Sequence, residues 1–159
     1  TIQKMERSGI RIDHYSVSTL MKALKRAPCS NEVVSKVLGL LDRHDIDVCR
    51  EEVLLNTALE ACMKHGEHRR MESLLQSMGS VASIQLSPHT YASLIKASGI
   101  LKRVQHCRDL WSDMTDTRGI EPTGVALGCM LDALVCNGGV KEAVVLLRKW
   151  QGRVPVNTI

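Results

Sequence analysis

A spacing of about 36 residues recurs along the chain. It constrains the fold more than any local feature, because a fixed internal period is the signature of stacked repeats. Ala23, Ala61, Ala97 and Ala133 stand at steps of 38, 36 and 36 residues. One residue separates each from a preceding apolar pair: Leu20-Met21, Ala58-Leu59, Leu94-Ile95 and Met130-Leu131. A small residue precedes each pair: Thr19, Thr57, Ser93 and Cys129. A second series, Leu41, Met78, Met114 and Trp150, runs at steps of 37, 36 and 36, and a third, Ile10, Ile46, Ile84, Ile120 and Val154, at steps of 36, 38, 36 and 34.

Within each period the apolar spacing is helical. Leu55, Ala58, Leu59 and Cys62 follow the i, i+3, i+4, i+7 pattern, and Met71, Leu74, Leu75 and Met78 repeat it after Gly66. Gly66, Gly99 and Gly138 fall mid-period, where a left-handed cap would end a first helix. Ser87-Pro88 and Thr123 stand where a helix needs an N-cap, with Pro88 at the first helical position. The pattern predicts antiparallel helix pairs over 15–26 with 31–43, 52–65 with 67–79, 88–98 with 103–117, and 125–137 with 139–151. One such hairpin cannot bury its own apolar face, whereas stacked hairpins share a continuous core. The expected fold is all-α: a superhelical α-α solenoid of stacked helix-turn-helix repeats, with small residues at the Ala and Thr/Ser/Cys slots letting neighbouring first helices approach.

Composition narrows the function classes. The 159 residues are 44% hydrophobic and 24% charged with 4 Pro, which excludes disorder and collagen-like structure. The longest uncharged apolar runs, such as Gly124 to Leu131, are too short to span a bilayer. The net charge of +4 is mildly basic. Two Trp, two Tyr and no Phe argue against modules that stack bases on aromatic platforms. The six cysteines (29, 49, 62, 107, 129 and 136) contain no Cys-x-x-Cys pair and sit mostly in apolar helical patterns, so they read as small buried residues in a reducing compartment. A chain that opens at Thr1 inside a structural element is expected to be a piece of a longer protein, with any targeting peptide out of view.

The unit length and its slots resemble the pentatricopeptide repeat (PPR) family. The third unit carries the resemblance most clearly, with Thr90-Tyr91-Ala92-Ser93-Leu94-Ile95-Lys96-Ala97, Leu110-Trp111-Ser112-Asp113-Met114 and Gly119-Ile120-Glu121-Pro122-Thr123. The second offers Asn56-Thr57-Ala58-Leu59, Lys64-His65-Gly66 and Leu74-Leu75-Gln76-Ser77-Met78, and the fourth Cys136-Asn137-Gly138-Gly139 and Lys141-Glu142-Ala143. Met5 to Asp13 resembles the end of a repeat. The first unit, with Pro28 and extra connector residues, is the loosest match. The tetratricopeptide pattern of Trp and Gly-Tyr is not found, and the period here is longer. The division that follows is 1–13 as the tail of a preceding repeat, 14–51, 52–87, 88–123 and 124–157 as repeats 1 to 4, and 158–159 as the start of another, in one continuous solenoid.

The resemblance implies a non-catalytic protein of mitochondria or plastids. Such a protein binds single-stranded RNA about one base per repeat and acts in transcript processing, stability or translation. It implies two base-reading side chains per repeat, one near the start of the first helix and one at the repeat's last residue. Mapped here, the first readers are Ser18, Asn56, Ala92 and Gly128. The last-residue readers are Cys49 (or Glu51), Ser87, Thr123 and Asn157, with Asp13 closing the earlier unit. Lys22, Lys64 and Lys96 are the candidate phosphate contacts. No cofactor, metal or small-molecule substrate is expected.

Physical chemistry qualifies that mapping. Base readout needs donors and acceptors. Asn56, Ser87 and Ser18 supply them, whereas Ala92 and Gly128 have no polar side-chain atom. The four first helices carry +3 (Lys22, Lys25, Arg26), −2 (Glu51, Glu52 and Glu60 against Lys64), +1 (Lys96) and −1 (Asp132), so that side is close to neutral. A second reading keeps the fold and changes the partner: a helical scaffold subunit binding proteins in an organellar assembly such as a ribosome or a membrane complex.

Weaker signals read as structure. Cys62, His65 and His68 offer three ligands without a fourth, so a polar loop is the expectation. His44, Asp45 and Asp47 have no nucleophile or phosphate loop beside them and read as a solvated connector. Trp111 and Trp150 occupy second-helix packing slots. Arg69-Arg70 and Lys102-Arg103 read as solvent-facing pairs at helix starts.

Overall fold

The helices begin where a side chain can satisfy the first free backbone N–H groups. In a computed structural model describing residues 13–26, 31–43, 47–78 and 85–154, these helices are α1 (His14–Arg26), α2 (Asn31–Arg43), α3 (Glu52–His65), α4 (His68–Ser77), α5 (Pro88–Ile100), α6 (Val104–Ser112), α7 (Gly124–Cys136) and α8 (Val140–Trp150). A short 3-10 turn covers Val48–Arg50, and a π-turn, Asp113–Thr117, extends α6. No strand occurs among the described residues. The fold class is the one the period predicts: an all-α helical-repeat protein of the solenoid class.

Asp13 starts α1 by accepting bonds from the Ser16 backbone N–H at 2.9 Å and the Ser16 hydroxyl at 2.7 Å. Ser87 and Thr123 do the same for α5 and α7, accepting from the N–H groups of Thr90 and Ala126. Pro88 sits in the first turn of α5, where its missing N–H costs nothing. Helix α3 stops at Gly66, whose φ of 69° lies in the left-handed region that glycine reaches without penalty. Gly138 takes the same region at φ 85° after α7.

Gly99 is a correction to the sequence reading. It does not cap: α5 continues through it, and Lys102 takes the left-handed conformation at φ 59°. Gly99 is instead a contact surface. A Cβ placed there would stand 2.7 Å from the Cβ of Ala133 and 3.1 Å from its Cα. Asn137 completes the seam, donating from Nδ2 to the Gly99 carbonyl at 3.0 Å and to the Ala133 carbonyl at 2.7 Å. The small-residue slot thus brings two first helices, α5 and α7, into backbone-level contact.

The helices group into two compact units, residues 1–70 and 71–159, with the division falling inside α4. In the first, α1 packs on α2 and α3 around Val17, Met21, Leu38, Leu55 and Leu59, all fully or nearly fully buried. In the second, α5 packs on α6 and α7, and α7 on α8, around Tyr91, Leu94, Ile95, Met114, Met130 and Leu134. Burying each such side chain stabilises by about 1.5–3 kcal/mol before chain entropy is counted.

The arginines read as solvent-facing are the second correction. Arg70 reaches the Leu38 carbonyl of α2 at 2.6 Å, and Ser35 donates to Glu67 at 2.8 Å, so both bonds join consecutive hairpins of the first unit. In the second unit Arg103 pairs with Glu72, and Arg108 grips Glu142 with Nε and Nη2 at 2.9 and 2.8 Å. The Arg108 pair holds the Glu142 carboxyl below its usual range. Arg69 and Lys102 do stay exposed. Stacking is therefore tied by polar bonds along the second helices as well as by the apolar seam.

Gly128 lies inside α7, with no atom within 4 Å of a Cβ built there. Replacing it by alanine is expected to raise the unfolding free energy of the second unit by about 0.5–1 kcal/mol. Urea denaturation followed by circular dichroism measures this, and an unchanged or lowered midpoint contradicts the open environment described.

Candidate nucleic-acid interface

The reader positions divide by what surrounds them. On α1 and α3, Ser18 and Asn56 are half-buried, and Lys22 and Lys64 are exposed. On α5, Ala92 is only 3% exposed, and Lys96 projects to solvent. On α7, Gly128 is exposed and bare. Ala92 and Gly128 are thus different kinds of blank. A longer side chain has no room at 92 and open space at 128.

The last-residue positions also carry the helix-start duty that the sequence predicts for Ser87 and Thr123, and Asp13 shares it. Asp13, Ser87 and Thr123 are the N-caps of α1, α5 and α7. Each cap spends an acceptor lone pair on a backbone N–H. The Thr123 oxygen, 3.2 Å from the Ala126 nitrogen, retains its hydroxyl proton for donation. Of the two alternatives at the first connector, Cys49 lies in the 3-10 turn, half-buried, with its N–H on Asp47. Glu51 is exposed at the start of α3 and accepts from the Leu55 N–H at 2.9 Å through its carbonyl. Asn157 lies outside the described residues, as do His44, Asp45, Ile10, Ile46 and Ile84. Asp47 is a turn cap.

Electrostatics on the first-helix side of the second unit is balanced. Lys96 of α5 and Asp132 of α7 line the same shallow cleft of about 80 Å³, with Gly99, Ile100, Cys129 and Cys136. Of the five described cysteines, all free thiols, Cys62 and Cys107 are buried as the sequence predicts. Burial pushes the Cys62 thiol up to about 12 and the Cys107 thiol to about 11. Cys136 departs from the expectation. It is exposed at the end of α7, 3.6 Å from a carboxylate oxygen of Asp132, which also raises its pKa. Titration with a thiol reagent at neutral pH should therefore modify Cys136 in the folded chain, and Cys62 and Cys107 only on unfolding. Fast labelling of Cys62 in the folded chain would contradict its burial.

Two further groupings escaped the sequence reading. The Tyr91 hydroxyl donates to the Asp113 carboxylate, which also accepts from Arg118 Nε at 3.0 Å, so α5 is fastened to the π-turn. Only the positions 22 and 27 residues away reveal those partners. Trp111 and Trp150 meet edge to face, with centroids 6.0 Å apart and rings at 85°. Their packing role is the expected one. No helix of the described residues is long and apolar enough to cross a membrane.

Comparison with known proteins agrees with the repeat pattern. The family described as PPR repeat matches residues 53–80 and 125–153. A pentatricopeptide repeat-containing protein of Arabidopsis thaliana is 24% identical over 114 residues, covering 72% of this chain and 17% of that protein. A second Arabidopsis thaliana protein of that description is 28% identical over 145 residues, covering 91% of this chain and 20% of that protein. The chain spans about a fifth of the length of these relatives.

Proposed function

Because this chain belongs to the pentatricopeptide repeat family, we propose that it is a non-catalytic RNA-binding segment of an organellar protein, holding single-stranded RNA along its first helices. The proposed role is in transcript processing, stability or translation, in a mitochondrion or plastid. The observation that carries the reading is the recurrence of the PPR unit at two separate places in the chain. The side chains of Ser18 and Asn56 on first helices, the Asn56 Oδ1 being buried, and those of Ser87 and Thr123 at the helix starts are the polar groups offered to base edges. Exposed Lys22, Lys64 and Lys96 supply phosphate contacts on the same helices. Asn157 belongs to the same set by its place in the period.

The test is a fluorescence-anisotropy titration of the chain with random single-stranded RNA across salt concentrations. Binding at low salt that weakens linearly on a log–log plot supports the reading, with a slope of about −0.7 for each phosphate neutralised. No binding at low salt contradicts it.

A second reading, a scaffold that docks proteins of an organellar assembly, is favoured by one observation. Repeat 3 places buried Ala92 and repeat 4 bare Gly128 where base readers are needed, and Lys96 is offset by Asp132 in one cleft. Absence of RNA binding together with retained folding would move the assignment to it.

A further inference from the structure

The second unit carries a concentration of positive charge away from its first helices. On α8, Lys141, Arg148 and Lys149 are all exposed. At a rise of about 1.5 Å per residue, Lys141 and Arg148 stand about 10 Å apart along the helix. Val145, between them, is 67% exposed and marks that face as open. The one acidic residue of α8, Glu142, is committed to Arg108 through two bonds. Arg153 follows the helix, but it shares a cleft with Glu121 and is not counted. The Asp109 carboxylate, on α6, is held by the Gln105 side chain at 2.9 Å.

Two alternatives fail to account for the stripe. Favourable interaction with the helix dipole places cations in the last turn and suits Arg148 and Lys149. It disfavours Lys141, which stands in the first turn. A face kept for another hairpin is the other alternative. One period earlier, Gln105, Asp109 and Ser112 occupy the positions of Lys141, Val145 and Arg148. All three remain exposed although α7 and α8 pack against α6. A hairpin stacked on α8 in the same manner would leave the stripe open. The equivalent α6 positions are not basic, so the adjacent repeat does not share the stripe.

Resting on the RNA reading above, we infer that the exposed face of α8 is a second contact for the phosphate backbone of the same RNA, blind to base sequence. Lys141, Arg148 and Lys149 are its cations. On the first-helix side of this unit Asp132 offsets Lys96, so the net attraction there is small and α8 adds to it. The stripe would hold the strand where the reader positions of repeats 3 and 4 do not select bases.

The experiment compares the whole chain with the triple variant Lys141→Gln/Arg148→Gln/Lys149→Gln, the single variant Lys141→Gln, and Lys96→Gln. Each is titrated with single-stranded oligouridine over a salt series, with circular dichroism melting as the folding control. The expected result is a loss of about 2 from the magnitude of the log–log salt slope in the triple variant and less than 1 in each single variant, with affinity at low salt down about tenfold in the triple. A triple variant with the parent slope and affinity overturns the inference while leaving the RNA reading intact. No binding of the parent chain to RNA at low salt overturns both. Binding to vesicles of anionic phospholipid, lost in the triple variant and unaccompanied by RNA binding, assigns the stripe to a membrane surface instead. Should the triple variant melt early, Lys141→Gln alone decides: an unchanged slope in that folded variant removes the one cation the helix dipole does not explain, and the inference with it.

Discussion

Trp111→Ala lowers the unfolding free energy of the second unit by about 3–5 kcal/mol, the largest effect expected of any single change considered. The indole is 7% exposed on α6 and presents its ring to Trp150 of α8, so removing it takes away two kinds of interaction. One is the apolar area and the close packing that alanine cannot refill. The other is the edge-to-face pairing, worth about 0.5–1.5 kcal/mol beyond area. The Trp150 Nε1–H is buried without an acceptor among the described residues, and Lys149 lies 5.8 Å from its ring centre. Urea unfolding followed by circular dichroism measures the loss, and the fluorescence of Trp150 reports its release. A loss below about 1 kcal/mol would mean that Trp111 is not a packed element of the seam between the last two hairpins.

Gly99→Ala costs about 1–3 kcal/mol, although alanine is the better helix former. At an open helical position the same replacement stabilises. At Gly99 the new methyl meets the Cβ of Ala133 at 2.7 Å and its Cα at 3.1 Å, and neither can rotate away. Relief requires α5 and α7 to separate, which also stretches the bond from Asn137 to the Gly99 carbonyl. The sign is the diagnostic feature, because Gly99→Ala and Gly128→Ala move in opposite directions within one unit. A chain stabilised by Gly99→Ala would show that the two first helices do not meet at this point. Gly99→Ala/Ala133→Gly returns the space and should recover part of the loss.

Much of the fold is legible because it repeats. The period fixes the pairing of helices, and Ser87-Pro88, Thr123, Gly66 and Gly138 mark their ends by local chemistry that a single chain displays. Gly99 is ambiguous in the sequence because two physical demands select glycine near the end of a first helix. A left-handed cap needs φ above zero, and a close crossing needs the absence of a Cβ. Sequence alone does not separate them, and here the second operates. Arg70 and Arg103 look solvated in the sequence because their partners, Leu38 and Glu72, lie 32 and 31 residues away. Only stacking brings such residues together. Cys136 follows the apolar pattern in sequence yet sits on the side of α7 that nothing described covers.

The candidate interface was legible in part for the same reason. The period places Ser18, Asn56, Ala92 and Gly128 at equivalent positions. Burial then separates Ala92 from Gly128, and packing decides burial. Ser87 and Thr123 are legible in the sequence both as last-residue readers and as helix caps, and the capping bonds restrict them to the hydrogen-bonding capacity left over. The basic face of α8 is hidden in the sequence for a different reason. Lys141, Arg148 and Lys149 are dispersed along the chain, and they form a stripe only once the helix turns and Glu142 is claimed by Arg108.

Photocrosslinking of the chain to single-stranded RNA containing 4-thiouridine, followed by peptide mapping, tests most directly whether and where RNA is held. The account predicts adducts in peptides of α1, α3, α5 and α7 that carry Ser18, Asn56, Lys96 and Gly128, and in the α8 peptide that carries Arg148 and Lys149. Adducts confined to α2, α4 and α6, or none at low salt, would contradict it.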